Sequence, residues 1–215
     1  MQTSGNAVQS AYNYWASSYD TDRNRTRDLD AQTIRALLKG QHFHRVIEAG
    51  CGTGKNTVWL AGQCNELLAF DFSEGMLAQA QQKVRANHVQ FQQVDLTKMW
   101  ICADAWVDLV TFNLVLEHIE DLNAALKQAA RCLRPGGQLA ISELHPFRQY
   151  EGTVANFQRG EQTVQVPAFV HHLSDYFEAA AANGLVLQQL LEHWHHEDEG
   201  KPPRLVALLL SKKNA

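Results

Sequence analysis

Val46-Ile47-Glu48-Ala49-Gly50-Cys51-Gly52-Thr53-Gly54 is the stretch whose reading decides the fold. Its first half is apolar and suited to a strand. Its second half is a turn rich in glycine, where missing side chains let the backbone approach a ligand. A helix starting just after such a turn offers unpaired N–H groups and the positive end of its dipole. Three kinds of fold place a turn of this sort after their first strand. A phosphate-binding P-loop needs Gly-x4-Gly-Lys-Ser/Thr. Gly54-Lys55 fits, but Ala49 stands where the first glycine belongs and Asn56 where the metal-binding hydroxyl belongs. The dinucleotide pattern Gly-x-Gly-x-x-Gly needs a further glycine at position 55, counted from Gly50, or 57, counted from Gly52. Lys55 and Thr57 stand there instead.

Outward from the loop, short apolar runs alternate with helical stretches. Arg45–Ala49, Leu67–Phe72, Val89–Val94, Val107–Phe112 and Gln138–Glu143 are the expected strands, with helices at about Asn56–Gln63, Glu74–Ala86 and Leu122–Leu133. Strands that are apolar on both faces and alternate with helices imply a parallel sheet covered on both sides. Upstream, Val8, Tyr12, Trp15 and Tyr19 recur at helical spacing and give a first helix an aromatic face. A second helix covers Asp28–Lys39, with Gly40 as its stop. Downstream, Val154–Phe157 and Thr163–Val166 flank Arg159-Gly160 as a hairpin, and a helix spans Ser174–Ala182. Leu185–Leu191 and Leu205–Leu210 then form a closing antiparallel pair.

The 215 residues suit one domain, and 45% hydrophobic with 20% charged residues is a globular composition. A formal charge of −4 and the absence of a dense Lys/Arg block argue against a nucleic-acid partner. Met1 to Ser10 carry no apolar signal core, and no segment approaches the length of a membrane span. The cysteines Cys51, Cys64, Cys102 and Cys132 show no CxxC spacing and read as reduced thiols. A cytoplasmic protein is expected.

The spacing Glu-x-Gly-x-Gly-x-Gly resembles the first motif of class I S-adenosylmethionine-dependent methyltransferases, and the resemblance continues over residues 44–145. Asp71-Phe72-Ser73-Glu74-Gly75-Met76-Leu77 looks like the second motif, Val94-Asp95-Leu96 like the acidic turn after the third strand, and Phe112-Asn113-Leu114-Val115-Leu116-Glu117-His118 like the turn after the fourth. Leu133-Arg134-Pro135-Gly136-Gly137 resembles the approach to the fifth. The small-molecule branch that includes ubiquinone/menaquinone-type enzymes is the nearest likeness. The resemblance implies an α/β fold: a doubly wound, Rossmann-like, seven-stranded and mostly parallel sheet with an antiparallel last strand and helices on both faces. It implies a single methyltransferase domain over 1–215, comprising an N-terminal helical lid (1–40), a cofactor-binding core (41–144), a substrate-side insertion and helix (145–184) and closing strands (185–215).

The same resemblance implies S-adenosylmethionine as cofactor, leaving as S-adenosylhomocysteine. Its site is expected from Glu48, Gly50, Cys51, Gly52, Gly54, Asp71, Phe72, Met76, Asp95, Leu96, Asn113 and Tyr19. Asp71 would bind the ribose hydroxyls and Asp95 face the adenine amino group. Glu48 either touches the ligand or orients the loop by accepting backbone N–H bonds, and Tyr19 could reach the cofactor's carboxylate. Gly136 and Gly137 read as a turn.

Such a cofactor brings its own electrophile, so the protein mainly aligns a nucleophile and sometimes removes a proton. Candidate bases are His118 at the mouth of the fourth strand, His145 after the fifth, and His172, with His171, ahead of a helix. The pocket should be closed by the N-terminal helix and the segment after the fifth strand. Asn113-Leu114-Val115 is not the Asn/Asp-Pro-Pro-aromatic motif of DNA adenine-N6 enzymes. The Pro-Cys pair of cytosine-C5 enzymes is absent too, so a small organic acceptor is expected. His193, His195, His196 and Glu197 run into a charged loop and read as a solvated strand end rather than a metal site. A non-catalytic cofactor-binding sensor or partner subunit is one rival. A protein or RNA methyltransferase is another, predicting a wide basic groove at Arg23, Arg25 and Arg27. Those arginines, balanced by Asp20, Asp22 and Asp28, read instead as a solvated helix start. A monomer or homodimer is expected.

Overall fold

The computed structural model describes residues 4–214, so the first three residues of the expected lid, and residue 215, lie outside the described residues. Two helices open the chain, α1 (Ser4–Trp15) and α2 (Arg25–Leu37). The core alternates as expected: β1 (Phe43–Ala49), α3 (Thr57–Leu60), β2 (Cys64–Asp71), α4 (Glu74–Lys83), β3 (Val89–Gln93), β4 (Val107–Asn113), α5 (Leu122–Cys132) and β5 (Leu133–Leu144). Then come α6 (Pro146–Tyr150), the hairpin β6 (Asn156–Arg159) and β7 (Gln162–Gln165), α7 (Leu173–Ala182), β8 (Leu185–His193) and β9 (Leu205–Lys212).

The main sheet has seven strands in the order β3-β2-β1-β4-β5-β9-β8. Strands β1 to β5 are mutually parallel, and β9 runs antiparallel to both β5 and β8. The last strand alone therefore runs against the rest. Strand side chains alternate between the two faces, and the buried residues sort accordingly. Ile47, Leu68, Val110, Ile141 and Leu208 pack in one cluster with α5 and α7. Their neighbours Val46, Leu67, Leu109, Ala140 and Ala207 pack in another with Ile34 and Leu37 of α2, Leu38 just beyond it and Leu60 of α3. Each such aliphatic side chain contributes about 1.5–3 kcal/mol by leaving water, which explains why both faces carry helices.

Element ends move for local reasons. Helix α2 starts at Arg25 because Asn24 caps it, its side chain accepting from the Arg27 N–H at 3.0 Å. The hairpin turns at Gly160-Glu161, since Arg159 pairs with Gln162 and Gly160 takes a φ of +62° that favours glycine. The helix expected at Asn56–Gln63 is the short α3 followed by a 3-10 turn, and α4 stops at Lys83. Strand β5 begins five residues early and absorbs Gly136 and Gly137 into a register shift against β4. Tyr19 falls beyond α1, in the turn leading to α2.

Candidate functional site

The carboxyl ends of β1, β2 and β4 converge on the glycine loop. Gly50, Gly52 and Gly54 all adopt positive φ, at +84°, +54° and +80°. A side chain at Gly50 would come within 2.6 Å of Val115, whereas one at Gly52 would meet nothing within 4 Å, so the loop is open on that side. Asp71 fastens this loop to the start of α4. Its two carboxylate oxygens accept the Gly52 N–H and the Ser73 N–H, each at 2.8 Å, and burial holds its carboxyl above the usual carboxylate range. Asp95 caps its own turn, taking the N–H and hydroxyl of Thr97 on one oxygen.

Beside the loop lies a cavity of about 530 Å³, lined among others by Gly50, Gly52, Asp71, Phe72, Met76, Asp95, Leu96, Asn113, Tyr19 and His118. Three residues of the expected set are not brought to its wall. Glu48 is buried beneath the loop, where it accepts the Thr57 hydroxyl at 2.6 Å and burial raises its pKa to about 8. It braces α3, and among the described residues no backbone N–H is its partner. Cys51 packs in a small apolar cluster with Ala69 and Leu77, and Gly54 lies against Ala80 of α4.

The turn after β4 is clamped from β5. Glu143 is 1% exposed, and one of its carboxylate oxygens accepts the N–H groups of Val115 and Leu116, both at 2.9 Å. Burial raises its pKa to about 8. The clamp holds Leu114 at a φ of +53°, a strained conformation for a leucine. Leu114 thereby touches both the first cavity and a second one.

That second cavity measures about 640 Å³ and shares Tyr12, Tyr19 and Leu114 with the first. Its roof is a small core of its own, in which Trp15 stacks on Phe157 at 5.2 Å and Val166 completes the buried set. Helix α1 and the hairpin thus wall one side of the space together. The roof is tied to the glycine loop's neighbourhood: Asn13 accepts from the Ser73 hydroxyl and the Gly75 N–H, and Gln9 donates to the Phe72 carbonyl. Asp20 binds Thr53 and Lys83, each at 2.7 Å.

The histidines separate clearly. His118 is at the junction: its Nδ1 donates to the Pro167 carbonyl at 2.8 Å, which leaves Nε2 to accept from the Tyr12 hydroxyl at 2.7 Å. Glu117 beside it is 5% exposed and lines the second cavity, with Oε2 unpartnered and burial raising its carboxyl pKa. His145 is 1% exposed and lines neither cavity. It caps α6, its Nδ1 accepting from Phe147 N–H and its Nε2 facing Glu192 at 3.0 Å, and burial lowers its pKa. His172 precedes α7, where its N–H donates to Asp175 and its ring contacts the Tyr150 hydroxyl. His171 is buried against the Ile119 carbonyl. The ligand atoms of His195, His196 and Glu197 lie within 4.8 Å of one another, but the Glu197 carboxylate is already paired with Arg23 and Arg25.

Arg27 is a correction to the sequence reading. It is 8% exposed rather than solvated, stacks its guanidinium 3.9 Å from the Tyr19 ring centre, and lines the second cavity. Tyr12, Arg27 and Glu117 are the residues that sequence reasoning passed over as site residues. A tyrosine on an aromatic helical face reads as core, and an arginine among alternating charges reads as surface.

Residues 47–141 match the family described as a methyltransferase domain. A malonyl-[acyl-carrier protein] O-methyltransferase of Enterobacter lignolyticus is 35% identical over 139 residues, covering 64% of this chain and 53% of that protein. The chain thus spans about half the length of the curated relatives it matches. Among solved structures, DhpI in its SAH complex superposes with a TM-score of 0.76 at 22% identity, covering 98% of each chain. The N-methyltransferase NodS of Bradyrhizobium japonicum, in complex with S-adenosyl-L-homocysteine, gives 0.72 at 18% identity, covering 98% of this chain and 99% of that one. These two likenesses establish the fold.

Proposed function

We propose that this chain, whose residues 47–141 match a methyltransferase domain, is a class I S-adenosylmethionine-dependent methyltransferase that transfers a methyl group from S-adenosylmethionine to a small organic acceptor by in-line displacement. One observation carries the reading. The cavity beside the glycine loop and the second cavity share Tyr12, Tyr19 and Leu114, which gives a donor and an acceptor adjoining places. The first cavity fits the cofactor. The unobstructed side of Gly52 gives its backbone room, the Asp71 carboxylate offers remaining lone pairs to a ribose diol, and Asp95 on the same cavity wall would be available to a purine amino group.

When bound, the cofactor supplies a methyl on a sulfonium centre, an electrophile that needs no further activation. The chain's own part is to orient the acceptor and, where it must lose a proton, to receive that proton. Glu117 and the Tyr12–His118 pair line the junction and are the groups for it. His145 and His172 lie away from both cavities and act as helix caps. Aromatic side chains on one wall of the acceptor space, Tyr12, Trp15, Tyr19 and Phe157, favour an enzyme over a sensor. Among the described residues no helix is long and apolar enough to cross a membrane. A cytoplasmic enzyme, acting as a monomer or homodimer, is the fitting context.

Titration calorimetry with S-adenosylhomocysteine tests the first step, with micromolar binding expected for the native chain and a loss of about 100-fold in Asp71→Ala. Incubating a metabolite extract with methyl-labelled cofactor tests the second, one labelled small compound being expected. Unchanged affinity in Asp71→Ala would refute the placement of the ribose. Label appearing only in macromolecules would refute the small acceptor.

A further inference from the structure

Two of the cysteines meet away from both cavities described above. Cys132 ends α5 with no exposed surface. Cys102 lies on the loop between β3 and β4, packed against the core cluster that contains Cys132. Arg131 fastens that loop over the end of α5. Its guanidinium donates to the Trp100 and Cys102 carbonyls at 2.9 and 2.6 Å and to the Asp104 carboxylate at 2.6 Å. Further along, the Arg131 carbonyl takes the Ala105 N–H at 2.9 Å and the Cys132 carbonyl takes the Trp106 N–H at 2.7 Å. Two consecutive residues thus hold the loop from Trp100 to Trp106. The strain of that grip shows at Ala105, whose φ of +51° is a left-handed conformation that alanine disfavours. In this arrangement the Cys102 and Cys132 thiols touch.

The pair is asymmetric. The Cys132 thiol donates to the Cys102 sulfur and, with Arg131 beside it, holds Cys102 below the usual thiol range against the opposing pull of burial. The same bond, together with burial, holds Cys132 above that range. Asp104 would oppose a thiolate, but its carboxylate is bound to Arg131. In its thiol form Cys102 donates to the Ala103 carbonyl at 3.3 Å, a weak bond that ionisation gives up. Cys102 also lines an open cavity of about 260 Å³ with His88, Gln92 and Trp106, none of which lines the other two cavities. A small solute entering there meets Cys102 and not the buried Cys132. The thiolate is the reactive form of cysteine, so the accessible member is also the activated one. Cys51 and Cys64 are buried, and burial raises both thiols, Cys64 to about 11.

We propose that Cys102 and Cys132 are a peroxide-reactive pair that closes to a disulfide within the chain. The Cys102 thiolate attacks one oxygen of a hydroperoxide. The O–O bond breaks, Cys102 becomes a sulfenic acid, and hydroxide or alkoxide leaves. The Cys132 sulfur then attacks the Cys102 sulfur, the S–O bond breaks, and the sulfenic hydroxyl leaves as water with the Cys132 proton. Two electrons have then passed from the sulfurs to the peroxide. A small dithiol reverses the bond by exchange.

Hydrogen peroxide treatment of the full chain, followed by thiol counting and by peptide mapping without reductant, tests the pair. The native chain is expected to lose two of its four thiols, with one peptide pair joined through Cys102 and Cys132, and dithiothreitol is expected to restore both. Cys132→Ala removes the closing step and should leave Cys102 as a sulfenic acid that dimedone traps. Cys102→Ser should keep its remaining thiols under the same treatment. Retention of all thiols in the native chain, or a joined pair that includes Cys51 or Cys64, would overturn the proposal. Oxidation of Cys102 to the sulfinic acid with no joined peptide would overturn the pairing. Should a variant not fold, the map of the native chain decides by itself.

Discussion

Two buried acids, Glu48 and Glu143, make stability fall as pH rises, and Glu143→Gln isolates one of them. In the folded chain each carboxyl has its pKa raised from 4.5 to about 8 by burial. Such a group binds its proton more tightly when folded, so the stability it contributes is complete below about pH 4.5 and is lost as pH climbs towards about 8. Between these limits the unfolded carboxyl is ionised and the folded one still protonated. One group then costs about 1.4 kcal/mol per pH unit. The carboxylates held low, Asp20, Asp108 and Asp198, act in the opposite sense only in more acid solution. Urea denaturation between about pH 5.5 and about pH 7.5 should therefore show a decline to which Glu143 contributes about 3 kcal/mol. In Glu143→Gln the amide oxygen still accepts from Val115 and Leu116, but the titration is gone, and the decline should shrink by that amount. An identical pH slope in the variant would show that Glu143 ionises in the folded chain near its ordinary value, and the burial argument would fail.

Other outcomes follow from the same geometry. Gly50→Ala places a methyl group within 2.6 Å of Val115 at a φ of +84°, so circular dichroism melts should show a large loss of stability, about 2 kcal/mol or more. His145→Ala removes a helix cap and should cost about 1–2 kcal/mol of stability while the affinity for S-adenosylhomocysteine, measured by calorimetry, stays within about twofold. Trp15→Ala empties the centre of the roof core. A loss of about 3–5 kcal/mol is the ceiling, and protease cleavage confined to α1 and the β6–β7 hairpin should accompany it.

The parts of this molecule legible from sequence are those whose causes are local. A glycine needed at positive φ, an apolar run flanked by turn residues and a serine or asparagine ahead of a helix leave their mark within a few positions, and the sheet order follows from chaining such units. Asp71 ends β2 and Asp95 follows β3 by two residues, so their arrival at the first cavity's wall has a local cause. The placing of Glu48 has none: only the approach of Thr57 decides that its carboxylate turns under the loop. His145 follows a strand in the way a pocket residue does, yet Glu192, 47 residues later, meets its ring and closes it off. Arg27 is buried against the rings of Tyr19 and Trp15, a packing fact that no pattern of neighbouring charges encodes. Tyr12 fits the helical aromatic stripe well and still serves two cavities, because the stripe faces a small roof core rather than the sheet.

The bonds of α1 to Ser73, Gly75 and Phe72, with those of Asp20 to Thr53 and Lys83, set a sequence of events. Every one of these partners belongs to the walls or supports of the first cavity, so the roof cannot settle until the glycine loop and the start of α4 are in their final positions. A ligand that steadies the loop also seats the roof, and only a seated roof completes the second cavity. On the proposed reading, turnover should then be ordered, with the methyl donor entering first and its demethylated product leaving last. In steady-state inhibition, S-adenosylhomocysteine should compete with the donor and act noncompetitively against the acceptor.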